Sequence, residues 1–212
     1  MTRQLLGALN PRMQGDDNYT PARNLEDEFY KGLLADGWIL GRTVFLENGV
    51  DHNAHTLALR DLKAWIAAEF GPIEMLILEG ESTAGSLVLR IAEQDADLAD
   101  GVIAMGPFID LSDTKADAYL TAKPKLPAIL MSNTTEIIDA VSYAALAETA
   151  EVAPSLRPLL RPGHVNVNWV ERSEAVQEMV STIETGETIA FTNGTFSVPH
   201  RETGTTEMDG SL

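Results

Sequence analysis

Strand-like and helix-like segments alternate along the chain from about residue 25 to 185, and this alternation constrains the fold more than any other feature of the sequence. Continuous apolar runs at 73–78 and 101–105 are typical of strands that are buried on both faces. Between them, over 83–94, apolar residues recur at helical spacing. Strands that alternate with helices predict an α/β domain, with a mostly parallel sheet flanked by helices.

The same patterns place the remaining elements of this domain. We expect further helices over residues 24–37, 54–70, 140–149 and 169–184, and further strands over residues 38–45, 126–131 and 159–160. The segment Gln4–Leu9 is the one candidate for a strand ahead of the first helix. Together these elements define a predicted domain over residues 1–186.

The character of the sequence changes after Gly186. Apolar residues on both sides of Asn193-Gly194 predict a β-hairpin over residues 187–200. The last segment, 201–212, is polar, and we expect it to be disordered. The hairpin and the tail are therefore predicted to be appendages of the domain.

Composition limits the functions that this domain can have. The 212 residues are 44% hydrophobic, which is enough for a sizeable core. The chain carries 15 basic and 32 acidic residues, a formal charge of −17, which disfavours binding to nucleic acids or anionic membranes. No apolar run reaches the roughly 18 residues of a membrane span. We therefore expect a soluble protein, either cytoplasmic or secreted after removal of a signal peptide. The absence of cysteine excludes disulfides, thiolate metal sites and a cysteine nucleophile.

One short segment between a predicted strand and a predicted helix has the residues of a nucleophile elbow. Ser82 lies between Gly80 and Ala84, each two residues away. Small residues at these positions let the strand and the helix approach closely, so that the turn exposes the serine hydroxyl above the edge of the sheet. The alternative is an ordinary turn in which Ser82 caps the helix.

A serine hydroxyl needs a base and an orienting acid to act as a nucleophile at neutral pH. With a serine on such an elbow, the acid and then the histidine follow along the chain. His164 is the candidate base because it lies in a loop before the last long helix, and the alternative is a solvent-exposed loop histidine. The loop after the strand at 126–131 offers two carboxylates. We favour Glu136 as the acid, with Asp139 as the alternative, because Asp139 is placed to be the N-cap of the helix at 140–149.

The remaining histidines offer a weaker alternative. His52 and His55 stand close to Asp51 and suggest a metal- or sugar-binding module, but the sequence identifies no clear third metal ligand. We therefore expect no metal and no cofactor.

These pieces together resemble the catalytic core of the α/β-hydrolase superfamily, in particular its serine esterases and peptidase-like members. The resemblance covers residues 25–185 and rests on Gly37-Trp38, Gly80-Glu81-Ser82-Thr83-Ala84-Gly85, Asp100-Gly101-Val102-Ile103-Ala104, Pro127-Ala128-Ile129-Leu130, Thr134-Thr135-Glu136 and Gly163-His164. It implies that Ser82 is the nucleophile, His164 the general base and Glu136 the acid. The acid departs from the Gly-Asp pair that is more usual at this place.

The N-terminal region departs further from that superfamily, which normally has several strands before the first helix. One of the loops there supplies a backbone amide to the oxyanion hole. In this chain the corresponding loop would be Asn10-Pro11-Arg12, and because Pro11 has no amide proton, Asn10 or Arg12 would donate. The other expected donor is the amide of Thr83. A missing donor costs about 100- to 1000-fold in turnover, so we expect a slow enzyme. Missing strands would also leave a sheet edge open to a homodimer or to the hairpin.

The segment between two strands at 107–125 lies where such folds often insert a lid. Phe108, Leu111 and Tyr119 are candidates for an acyl pocket, and local packing is the alternative for all of them. The predicted function is hydrolysis of small-molecule carboxylic esters through an acyl-enzyme on Ser82. The alternatives are a non-catalytic binding protein of the same fold and a peptidase or amidase, although a weak oxyanion hole favours esters because their leaving groups need less protonation.

Overall fold

A parallel sheet forms the centre of the protein. The computed structural model describes residues 4–9, 28–43, 52–109, 111, 120–150, 152–165 and 167–187. The strands are β1 (Gln4–Leu9), β2 (Ile39–Thr43), β3 (Met75–Glu81), β4 (Gly101–Met105), β5 (Ala128–Asn133) and β6 (Ser155–Leu159). Their order in the sheet is β2-β1-β3-β4-β5-β6, and every neighbouring pair is parallel. The predicted α/β class is therefore confirmed.

Helices cover both faces of this sheet. They are α1 (Glu28–Ala35), α2 (His52–Phe70), α3 (Thr83–Gln94), α4 (Ile137–Leu146, followed by a 3-10 turn at Ala147–Thr149) and α5 (Trp169–Thr185). At the start of α5 the Asn168 side chain accepts hydrogen bonds from the amides of Val170 and Glu171, and the Glu171 carboxylate accepts one from the Asn168 amide. This capping box fixes the first turn of the helix. Within the described ranges, no helix is both long and apolar enough to cross a membrane.

Three strands extend beyond their predicted limits. β3 and β5 continue through polar residues that resemble loop positions in the sequence, and of these Glu79, Ser132 and Asn133 are buried. β6 covers Ser155–Leu159 rather than 159–160, because it pairs with β5 along its whole length. Pairing with a neighbour, which the local sequence does not contain, decides where these strands end.

The predicted start of the helix after β5 is wrong. α4 begins at Ile137, so Asp139 lies inside its first turn and is not its N-cap. Glu136 has the cap position in the backbone, but its side chain makes no capping hydrogen bond. A carboxylate in the first turn still interacts favourably with the positive end of the helix, which explains why Asp139 resembles a cap in the sequence.

Two apolar clusters lie on opposite faces of the sheet, because side chains alternate along each strand. Leu76 and Leu78 of β3 join the cluster under α2, α3 and α4. Met75 and Ile77 join the cluster under α1 and α5. The carboxyl ends of the parallel strands meet at one edge of this arrangement, where α/β proteins bind their ligands.

Some predictions lie outside the described residues. They concern Asn24, Phe45, Asn10, residues 188–200 of the predicted hairpin, and the tail at 201–212. In the described part of the chain β1 is the one strand ahead of α1, and β2 lies at the edge of the sheet. The homodimer, or the hairpin, that would cover this edge stays a prediction.

Candidate active site

Ser82 lies in a strained turn between β3 and α3. Its φ is 54° and its ψ is −121°, a conformation that costs free energy for any residue with a side chain. The Ser82 amide donates to the Met105 carbonyl at the end of β4 (2.8 Å), and its own carbonyl accepts from the amide of Ser86 (3.2 Å). The Ser82 side chain makes no capping hydrogen bond to α3. Ser82 therefore has the cap position of α3 in the backbone but lacks the capping hydrogen bond that the alternative of an ordinary helix cap predicts, and its strained turn has the backbone of an elbow.

Gly80 allows this turn to close. A Cβ atom at Gly80 would lie 2.2 Å from the Ala84 carbonyl oxygen, a distance that no side chain tolerates. Ala84 itself is fully buried against the core. The two small residues that flank Ser82 in the sequence thus meet in space, as close packing of strand and helix requires.

The loops after β5 and β6 bring Glu136 and His164 into contact. The distance from His164 Nδ1 to Glu136 Oε2 is 2.5 Å, and Glu136 Oε1 accepts from the amide of Val165 at 3.4 Å. The imidazole is 57% exposed, whereas the carboxylate is 21% exposed. Asp139, the alternative acid, is exposed in the first turn of α4, and the bond to His164 is made by Glu136.

Two further hydrogen bonds hold these loops together. The Thr135 hydroxyl donates to the Gly163 carbonyl (2.5 Å), and the Thr134 amide donates to the Arg161 carbonyl (3.1 Å). The segment Thr134-Thr135-Glu136 is therefore bonded along its length to the segment that carries His164.

Gly106 connects this pair to the serine. A Cβ atom at Gly106 would lie 2.6 Å from Glu136 Oε1 and 2.9 Å from Val165 Cγ2, so the carboxylate and the residue after His164 pack directly on its backbone. The residue before it, Met105, accepts the hydrogen bond from the Ser82 amide. The carboxyl ends of the neighbouring strands β3, β4, β5 and β6 lead into Ser82, Gly106, Glu136 and the loop of His164, so all four lie along the same edge of the sheet.

Thr83, the predicted oxyanion donor, is the first residue of α3. The amides of the first turn of a helix have no partner within the helix, and they lie at its positive end. The second predicted donor, Asn10, lies outside the described residues.

The predicted acyl-pocket residues have different surroundings. Phe108 is 54% exposed, and Leu111 packs against the apolar cluster under α3. Tyr119 lies outside the described residues. Leu111 therefore has the local packing that we gave as the alternative to a place in an acyl pocket.

Charged residues beneath the serine were not identified from the sequence. Glu79 is buried and pairs with Arg172 of α5, and Arg172 Nη1 lies 3.3 Å from Glu81 Oε1. The one signal in the sequence is a carboxylate within an apolar strand, which requires a buried cation or hydrogen-bond donor as its partner.

The described residues contain no group of three or more His, Asp or Glu side chains arranged to hold a metal ion. His55 is buried on α2, and Asp51 lies outside the described ranges. The alternative based on these residues gains no support from the geometry.

No protein-family model matches the chain. No curated protein matches it. Among solved structures, an esterase of Pyrococcus furiosus is similar with a TM-score of 0.61 and 15% identity, over 85% of this chain and 83% of that one. A hyperthermophilic esterase of Pyrobaculum calidifontis has a TM-score of 0.60 and 14% identity, over 89% and 79%. Dipeptidyl peptidase 4 of Porphyromonas gingivalis has a TM-score of 0.60 and 11% identity, over 86% of this chain and 31% of that protein. Likeness at such identities shows the fold alone: this chain has the α/β-hydrolase fold.

Proposed function

We propose that this protein is a serine hydrolase that cleaves carboxylic esters through an acyl-enzyme on Ser82. His164 is the general base and Glu136 is the acid that orients it. The observation that carries the proposal is the 2.5 Å bond between His164 Nδ1 and Glu136 Oε2, at the sheet edge where Ser82 lies in its strained turn.

This bond determines the chemistry of the imidazole. When Nδ1 carries the proton and donates a hydrogen bond to the Glu136 carboxylate, Nε2 is the basic nitrogen. Nε2 takes the proton of the Ser82 hydroxyl as its oxygen attacks the ester carbonyl, and the imidazolium that forms is stabilised by the carboxylate.

The tetrahedral intermediate carries its negative charge on the former carbonyl oxygen. In this proposal the amide of Thr83, the first residue of α3, is one donor to this oxyanion. The intermediate collapses when His164 gives its proton to the leaving alkoxide, which departs as the alcohol. Water then attacks the acyl-enzyme with His164 again as base, and the carboxylic acid and free Ser82 are released.

The neighbours in structure favour esters over peptides without deciding between them. Of the three similar structures reported above, two are esterases and one is a peptidase. An ester leaves as an alkoxide that needs less protonation than an amine, so an exposed imidazole suffices more readily for esters.

The test is hydrolysis of p-nitrophenyl acetate, butyrate and octanoate, with a p-nitroanilide for comparison. We expect the wild type to hydrolyse the esters faster than the anilide, and Ser82→Ala or His164→Ala to lose at least about 1000-fold in kcat. Wild-type protein that hydrolyses none of these substrates would indicate the non-catalytic alternative.

Glu136→Gln and Asp139→Asn form a matched pair for the acid. Each removes one charge from the same loop and helix start. We expect a loss of about 100-fold or more for Glu136→Gln, because an amide cannot stabilise the imidazolium, and a change within about twofold for Asp139→Asn. The reverse result would assign the acid to Asp139.

A further inference from the structure

The first turn of α5 forms an ion pair with the loop that carries His164. Arg161 lies three residues before His164, and its guanidinium forms a two-armed ion pair with Glu171, with Nη1 2.7 Å from Oε1 and Nη2 bonded to Oε2. Glu171 is buried, and its carboxylate also belongs to the capping box of α5. A bidentate pair between a guanidinium and a carboxylate fixes the orientation of the two groups as well as the distance between them.

The next residue of the same turn forms ion pairs with β3, the strand that leads into Ser82. Arg172 pairs with buried Glu79 and, at 3.3 Å, with Glu81, the residue directly before Ser82. Its side chain is only 12% exposed. A guanidinium that bridges two carboxylates on one strand fixes that strand against the helix.

Glu171 and Arg172 are adjacent residues of opposite charge in one helical turn. Glu171 is therefore bonded to the loop that carries His164, and Arg172 to the strand that leads into Ser82. The capping box makes this turn rigid, and the Thr134 amide, bonded to the Arg161 carbonyl, links the Glu136 loop to the same support. Stability alone does not require such pairs, since apolar residues of similar volume often replace buried ion pairs without loss.

We infer that Glu171 and Arg172 are positioning residues, which set the distance between the Ser82 hydroxyl and the His164 imidazole. This inference rests on the proposed function. The two residues touch neither substrate nor reacting atoms; they act through Arg161 on one side and through Glu81 on the other.

The same helix supplies a matched control two turns further along. Glu178 is buried like Glu171, and it pairs with Arg157 of β6 at 2.8 Å as Glu171 pairs with Arg161. Glu178→Gln and Glu171→Gln thus remove the same charge from the same helix and the same kind of pair. The carboxylate of Glu171 pairs with the loop of His164, whereas Arg157, the partner of Glu178, contacts the first turn of α5 through the backbone carbonyl of Glu171 (3.2 Å).

The experiment measures kcat and KM for p-nitrophenyl acetate, and the rate at which a fluorophosphonate modifies Ser82, below the melting temperature of every variant. We expect Glu171→Gln to lower kcat and the modification rate by about 10- to 100-fold with KM nearly unchanged, because a displacement of about 1 Å has effects of this size. Glu178→Gln is expected to stay within about twofold of the wild type in both quantities, although it also melts at a lower temperature.

Arg172→Lys tests the contact between α5 and β3. Lysine keeps the positive charge beside Glu79 but lacks the fork that reaches Glu81. We expect kcat to fall by about tenfold with KM unchanged, and this variant decides the question if Glu171→Gln does not fold.

The outcomes separate the two claims. If the wild type neither hydrolyses the ester nor reacts with the fluorophosphonate, the proposed function is overturned and the inference with it. If the wild type is active and both Glu171→Gln and Arg172→Lys match Glu178→Gln in kcat and modification rate, the positioning role alone is overturned.

Discussion

The two faces of the sheet are held by different interactions. The α3 face consists largely of apolar contacts, and its buried carboxylate Glu93 accepts from neutral donors, the Tyr143 hydroxyl and Thr121. The α5 face has an apolar cluster too, but beside it carboxylates meet arginines in buried or nearly buried ion pairs. Apolar side chains tolerate small displacements, whereas a guanidinium fork defines distance and angle. The face with defined geometry is the one that supports the loops of the candidate active site.

The largest effect on stability is expected when one partner of a buried ion pair on the α5 face is removed. Glu178→Ala removes a buried carboxylate from the guanidinium of Arg157. Burial lowers the pKa of Arg157, and the charges of Glu178 and Glu174 oppose that shift only in part. We expect the free energy of unfolding to fall by about 3 to 5 kcal/mol, because a buried charge loses its partner. Urea unfolding measures this loss.

Replacing both partners sharpens the comparison. Arg157→Met combined with Glu178→Leu removes the charges together, and we expect its stability to lie close to that of the wild type. A double variant as unstable as Glu178→Ala would show that the α5 face depends on its charges for stability itself, in contrast to our account.

A smaller effect is expected on the α3 face. Tyr143→Phe takes one hydrogen bond from buried Glu93 (2.9 Å) and should cost about 1 to 3 kcal/mol near neutral pH. Burial and the negative charge of Glu93 raise the pKa of Tyr143. A raised pKa in the folded state contributes stability that is complete below the ordinary tyrosine value, about 10, and that is lost as the pH rises above it. The gap in melting temperature between wild type and variant should therefore narrow in strong alkali; a gap that widens would contradict the assigned role of the hydroxyl.

The smallest effect is expected at an exposed pair on neither face. Arg60 bonds Asp97 at 2.7 Å and Asp95 at 3.1 Å, and its hydrogen bond lowers the pKa of Asp97. A lowered carboxylate pKa gives stability that is present above the ordinary aspartate value and lost as the pH falls through the folded value. Arg60→Gln should thus lower the melting temperature slightly near pH 7, and not at all in strong acid or in about 1 M salt. A drop as large as that of Glu178→Ala would remove the distinction between buried and exposed pairs.

The sequence predicts those features that depend on neighbouring residues. The alternation of segments determines the fold class, and the Gly80-Ser82-Ala84 spacing determines the elbow, because strand, turn and helix all lie within a few positions. The order serine, acid, histidine is also visible along the chain, and the structure brings Glu136 and His164 together.

Features that depend on distant partners are not predictable in this way. β3 continues through Glu79, which resembles a loop position in the sequence. The residue that pairs with Glu79 is Arg172, 93 residues further along the chain, so the local sequence does not reveal the pair. The extent of β6 likewise follows from β5, and Asp139 has the composition of a helix cap without the position of one. In each case tertiary contact outweighs local preference.

The most direct test of the central claim is the site of modification by a fluorophosphonate, mapped by mass spectrometry of the digested protein. Our account predicts one added phosphonyl group on Ser82 in the wild type, a much slower reaction in His164→Ala, and no modification in Ser82→Ala that still folds. Wild-type protein that remains unmodified, or that is modified at another serine while Ser82 stays free, would contradict it.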